Sequence, residues 1–197
     1  MARLRRDCPW DREQTHRSLV TYLVEETGEV VDAIEAGDDA DLREELGDLL
    51  LQVYFHAQIA AEEGRFGLDD VARGISDKLI ARHPHVFAGD DVPADLHATW
   101  EARKRAEKGR SSALEGIAES LSAIARTTKV ASRARNHHVP IELPDEPVTA
   151  DEVGEGIVAL VLRAQASGVD ADQATRDALR ALEARVREAE SPRSSVE

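Results

Sequence analysis

Apolar positions recur at the 3.6-residue spacing of a helix along almost the whole chain. Leu19, Leu23, Val30 and Ile34, with Val20 and Val31 beside them, fall on one face and predict a first helix over about residues 13 to 36, stopped at Gly37-Asp38-Asp39. Leu42, Leu46, Leu49, Leu50 and Val53 predict a second helix from about Asp41 to Glu63, ended by Gly64. A third follows over Leu68 to Arg82 through Val71, Ile75 and Leu79, where Pro84 stops it. Gly89-Asp90-Asp91-Val92-Pro93 reads as a turn, and Ala94 to Lys108 as a polar fourth helix carrying Trp100.

Gly109-Arg110-Ser111-Ser112 marks an internal boundary and divides the chain into regions 1–110 and 111–197. Beyond it, Ile117, Leu121, Ile124 and Val130 predict a helix over Leu114 to Arg135, while Pro140, Pro144 and Pro147 prevent one across about residues 137 to 148. Two more helices are expected near Thr149 to Ala166 and Ala171 to Ala189, with a frayed tail over Ser191 to Ser195. No period-two alternation survives, so the expected fold class is all-α. A weak repeat is visible: Glu45-Leu46-Gly47-Asp48-Leu49 is echoed by Glu152-Val153-Gly154-Glu155-Gly156, each followed by an apolar helix, a Gly-centred break and another helix.

Composition narrows the partners. Across 197 residues the net charge is −14 and there is a single Cys, which excludes a disulfide framework within the chain. So acidic a surface repels phosphate backbones and anionic lipid, and no basic stripe offsets it, so neither nucleic acid nor membrane is an expected partner. No run reaches the roughly 18 to 20 apolar residues that cross a bilayer, and the N-terminus lacks an apolar signal core, so a cytoplasmic location is expected. With 42% hydrophobic but only 4% aromatic residues, the core must be built from Leu, Val, Ile and Ala, which suits helix-on-helix layers.

The charge is concentrated. Between Glu25 and Asp48 stand eleven acids and one base, Arg43. Two pairs share one spacing, Glu26 with Glu29 and Glu45 with Asp48, each at i, i+3 and bordering an apolar stripe. A short turn near Gly37 to Ala40 would make the two helices antiparallel neighbours and bring the four carboxylates into one half-buried pocket. Four like charges there cannot all stay ionised without cations, and oxygen ligands alone select a hard ion, Mg²⁺ or Mn²⁺. The competing reading is an ordinary solvated acidic face. A di-iron site would need two Glu-x-x-His elements, and only Glu13 to His16 fits.

Downstream, Lys78 and Arg82 sit at i, i+4, as do Trp100 and Lys104. Phosphates are held by such cations, and an indole stacks on a base. Each has a plainer role as well, in complementing a helix dipole or anchoring a core. His83 and His85 flank Pro84 as loop or cap residues, and Cys8 reads as structural.

These residues resemble the MazG nucleoside triphosphate pyrophosphohydrolases. The resemblance rests on Cys8-Pro9-Trp10-Asp11 with Gln14-Thr15-His16, on Glu25-Glu26-Thr27-Gly28-Glu29, on Glu44-Glu45-Leu46-Gly47-Asp48, and on Ser76-Asp77-Lys78-Leu79 through His83-Pro84-His85-Val86-Phe87. It covers about residues 7 to 108 and continues weakly beyond. It implies a MazG-like helical bundle that pairs into a homodimer and splits a nucleoside triphosphate into monophosphate and pyrophosphate with Mg²⁺, in clean-up of the nucleotide pool. On that pattern Glu26, Glu29, Glu45 and Asp48 hold the metals, Lys78 and Arg82 grip the phosphates, Trp100 and Lys104 complete the nucleotide site, and Glu29 takes the proton of the attacking water. The second half departs from two-domain members: the acidic first helix is missing, Glu155 stands for Asp48 and Ala181 for Lys78, which implies a degenerate, non-catalytic second repeat. A silent nucleotide sensor or partner-binding dimer, and a narrow dUTP- or dCTP-type pyrophosphatase, are the alternatives.

Overall fold

A computed structural model describes residues 1–191, with backbone only at 97 and 98. The tail expected over Ser191 to Ser195 lies outside the described residues from Pro192 on. Among the described residues there are ten helices and no strand, the all-α class that the periodicity predicts: α1 (Ala2–Asp7), α2 (Pro9–Glu13), α3 (Val20–Ala36), α4 (Asp39–Glu62), α5 (Leu68–Arg82), α6 (Pro84–Phe87), α7 (Leu96–Lys108), α8 (Ala123–Asn136), α9 (Ala150–Ala166) and α10 (Ala171–Glu190). The short α1, α2 and α6 are beyond the seven helices expected. No described helix is long and apolar enough to cross a membrane.

The chain forms two compact units that divide after Asp90, not at the Gly109 to Ser112 segment. That places α7 in the second unit, where it packs on α8.

In the first unit, α3 and α4 form an antiparallel hairpin and α5 packs on α4. The hairpin turn is dictated locally. Gly37 closes α3 at φ +71°, a left-handed backbone that only glycine adopts without strain, and its N–H donates to Ala33 and Ile34. Asp38 at once caps α4, its carboxylate accepting from the N–H groups of Ala40 and Asp41 at 2.8 and 3.2 Å.

The first predicted helix starts later than its periodicity suggests. Thr15 and Ser18 cap each other, the Thr15 N–H donating to Ser18 Oγ and the Ser18 N–H to Thr15 Oγ1, so the chain bends there and α3 begins at Val20. The preceding segment breaks into α1 and α2, which Arg5 ties down. Its guanidinium donates to the carbonyls of Asp11 and Gln14, pairs with Glu62 of α4 at 2.7 Å and lies over the Phe55 ring. Leu19, Phe55 and Ile59 form the buried core beneath, with Trp10 edge-on to Tyr22 and Phe55.

In the second unit, α8 and α10 sandwich Val130, Ala134, Leu179 and Val186, with Ala113 and Ile117 closing the core. The helix predicted from Leu114 starts only at Ala123. Gly116 takes φ +69° and Ser122 caps Ala125, while two arginines of α8 satisfy the carbonyls that a helix would otherwise have used. Arg126 donates to Ile117 and Ala118, and Arg133 to Ala113 and Glu115. Arg126 also pairs at 2.7 Å with Glu183, which is only 6% exposed. The α9 helix packs on α10 and has no buried residue.

Candidate functional site

The α3/α4 hairpin brings acids from its two helices together. One carboxylate oxygen each from Glu26, Glu29 and Glu45 lies within 4.8 Å of the others. Glu26 and Glu45 are half-buried along the helix seam, and Glu29 is exposed. Asp48, also half-buried, stands outside this trio but close enough to act on it.

The charges show it. Lost hydration, then Asp48, Glu29, Glu45 and Glu25, push the Glu26 carboxyl above the usual carboxylate range. Glu45 is raised as well, by lost hydration and then by Glu29, Asp48, Glu44 and Asp41. Carboxylates that repel one another in this way gain from a cation placed among them, and an all-oxygen donor set suits a hard divalent ion. The residues present therefore fit such an ion.

Lys78 and Arg82 share one face of α5, the first half-buried and the second 8% exposed. Trp100 and Lys104 lie in the second unit, where the Lys104 ammonium pairs with Glu101 at 2.7 Å and stands 6.0 Å from the Trp100 ring centroid. His83 caps α5, its ring nitrogen 2.7 Å from the Leu79 carbonyl oxygen, and His85 belongs to α6. Cys8 starts α2 at its N-cap and forms no disulfide.

Two buried polar groups escape a search for charge. Gln52, 5% exposed, and His56 continue the register of Glu45 and Asp48 along α4, and neither Gln52 Oε1 nor His56 Nε2 has a hydrogen-bond partner among the described residues. His56 stacks on His16, with the two Nδ1 atoms 2.7 Å apart, and Arg65 approaches His16 Nε2 at 2.6 Å. Because Arg65 can only donate, the network assigns the proton of His16 to Nδ1 and that of His56 to Nε2. Burial and the neighbouring His16 hold the His56 imidazole below its ordinary pKa. The pair's sequence signal is the Gln14-Thr15-His16 element, whose partner on α4 is legible only after folding.

Similarity to known proteins agrees with this hairpin. Residues 14–87 match the MazG nucleotide pyrophosphohydrolase domain. Over 196 residues the chain is 47% identical to an uncharacterized 26.1 kDa protein of Streptomyces cacaoi, a match that covers 96% of this chain and 79% of that one. It is 45% identical over 168 residues to the nucleoside triphosphate pyrophosphohydrolase of Escherichia coli, covering 83% of this chain and 63% of that enzyme. The enzyme of the same name from Mycobacterium tuberculosis is 44% identical over 162 residues, covering 81% of this chain and 50% of its own. The chain therefore spans less than two thirds of either named enzyme. All the acids and the α5 cations fall inside the matched domain, and the chain belongs to the MazG family of nucleotide pyrophosphohydrolases.

Proposed function

We propose that this chain hydrolyses nucleoside triphosphates between the α- and β-phosphates, releasing a monophosphate and pyrophosphate. The observation that carries this reading is the convergence of Glu26, Glu29 and Glu45 from two helices within a domain matched to nucleotide pyrophosphohydrolases. The two relatives named above as nucleoside triphosphate pyrophosphohydrolases support the substrate class.

Glu26, Glu29, Glu45 and Asp48 would hold Mg²⁺, with Mn²⁺ as a substitute. The ion would neutralise the polyphosphate and make a water acidic enough to attack near neutral pH. Glu29, the exposed member of the trio, would take the proton as the water oxygen bonds to the α-phosphorus and the bond to the pyrophosphate oxygen breaks. Lys78 and Arg82 supply the cations of the first unit that would hold the phosphates, Arg82 as a planar fork. For α7 by itself, the Trp100 face and the Lys104 ammonium would receive a base and a phosphate.

A homodimer is part of the proposal. Val24 is 67% exposed and Ile34 59%, and Leu46 and Leu50 are also open on α4, an apolar surface that a second copy would cover.

The test is phosphorus NMR of the common nucleoside triphosphates incubated with the protein and Mg²⁺, with and without chelator. Chelator-sensitive appearance of monophosphate and pyrophosphate is expected. Diphosphate with orthophosphate would refute the cleavage position, and no turnover with either metal would favour a silent nucleotide-binding module.

A further inference from the structure

In a chain of net charge −14, positive groups gather around one cavity of the second unit. The cavity, of about 300 Å³, lies between the latter part of α7 and the end of α8, and Arg105, Arg135, His137 and His138 line it with Glu101. Arg133 and Arg110 stand behind His137. Burial, then Arg105, Arg133 and Arg110, hold the His137 imidazole below its ordinary pKa, with Glu190 the one group opposing them.

The nearby carboxylates are already engaged. Glu101 accepts from Lys104 at 2.7 Å, and Glu190 accepts from Ser112 Oγ and the Ala113 N–H at 2.6 and 2.7 Å. Arg135 spends a hydrogen bond on the neutral carbonyl of Pro144, while Arg133, 7% exposed, donates to the carbonyls of Ala113 and Glu115 and has the Glu101 carboxylate as its opposing charge. Arg105 forms no ion pair among the described residues, and Arg110 has the Glu115 carboxylate as its opposing charge.

The backbone is also set specially here. α8 ends in a Schellman turn, the His138 N–H donating to Arg135 and the Val139 N–H to Ala134, with His138 at φ +54°, the single non-glycine residue in the left-handed region among those described. Glycine is the ordinary choice there, and a side chain costs about 1 kcal/mol. Helix dipoles account for a cation in each last turn. They do not account for cations from α7, the end of α8 and the turn after it around one cavity.

We propose that this cavity binds a small phosphate-bearing anion. Arginine forks and imidazole N–H groups match the oxygens of a phosphate, and the volume lies at the small end of ligand pockets, suited to inorganic pyrophosphate or the phosphate of a nucleoside monophosphate. The proposal does not depend on the hydrolysis proposed for the first unit.

The experiment is calorimetric titration of the full chain with inorganic pyrophosphate in EDTA, so that nothing turns over, with NMR of the histidine rings in parallel and His137 assigned through His137→Gln. Saturable binding is expected, with the His137 ring signals shifting and its titration midpoint rising on saturation. Arg105→Ala with Arg135→Ala should weaken the binding read at the His137 ring at least tenfold. Adenosine monophosphate that binds as tightly as pyrophosphate supports a site for a single phosphate, and pyrophosphate binding alone supports one for a diphosphate. Absence of saturable binding, a silent His137, or affinity at that ring that survives the double substitution would overturn the proposal.

Discussion

At the scale of single residues, the acids and the histidines respond to burial in opposite ways. Glu26 and Glu45 gain protons more readily in the fold, while His56 loses its proton more readily, because in each case lost hydration disfavours the charged form. On the proposed site, Glu45→Ala removes one of three converging oxygens and should lower kcat/KM by at least about 100-fold, read in the phosphorus NMR assay. For His56, lost hydration and then His16 depress the pKa from 6.5, so the unfolded chain binds the proton more tightly than the folded one. The stability this contributes is complete above about pH 6.5 and is lost as pH falls from there toward the folded pKa. Thermal unfolding of wild type and His56→Asn between pH 7.5 and 5.5 should show the wild type losing more stability on acidification. Equal losses would remove the buried His56 ring as the cause. None of this pairing was legible in the sequence, since His16 and His56 stand forty residues apart and share no local pattern. Gln52 and His56 do keep the i, i+4 register of the acidic face, but a polar residue at such a position reads as surface until its burial is seen.

At the scale of elements, capping decided where the periodicity could not. α5 runs over Leu68–Arg82 as predicted because Gly67 with Asp70 opens it and Pro84 follows its end. α3 and α8 begin later than predicted, because hydroxyl caps at Thr15 and Ser122 gave the backbone another partner. Apolar spacing continues through such a cap, so a periodicity reading overruns it. The α3/α4 turn is the element on which the acidic site depends. Gly37→Ala places a Cβ at φ +71° and should destabilise the protein by about 1 kcal/mol, measured by urea unfolding. No heavy atom lies within 4 Å of that Cβ, so the loss would come from the backbone and not from a clash.

At the scale of the whole molecule, the open apolar face of the first unit carries its own expectation. Leu50→Glu should shift a homodimer toward monomer in sedimentation velocity, whereas an unchanged sedimentation coefficient would leave that face without a role in self-association. Much was legible beforehand: an all-α chain, the positions of most helices, and four acids in two matched pairs that point to a cation. Those features are local, because helix periodicity, glycine stops and i, i+3 spacing are fixed within a few residues of the chain. What only the tertiary structure decided depends on contacts between segments distant in sequence. It set the trio Glu26, Glu29 and Glu45 ahead of Asp48, paired His16 with His56, moved α7 into the second unit and gathered arginines from α7 to α8 around one cavity. Charge and burial at those places are properties of neighbours brought together by folding, which no spacing along a single helix encodes.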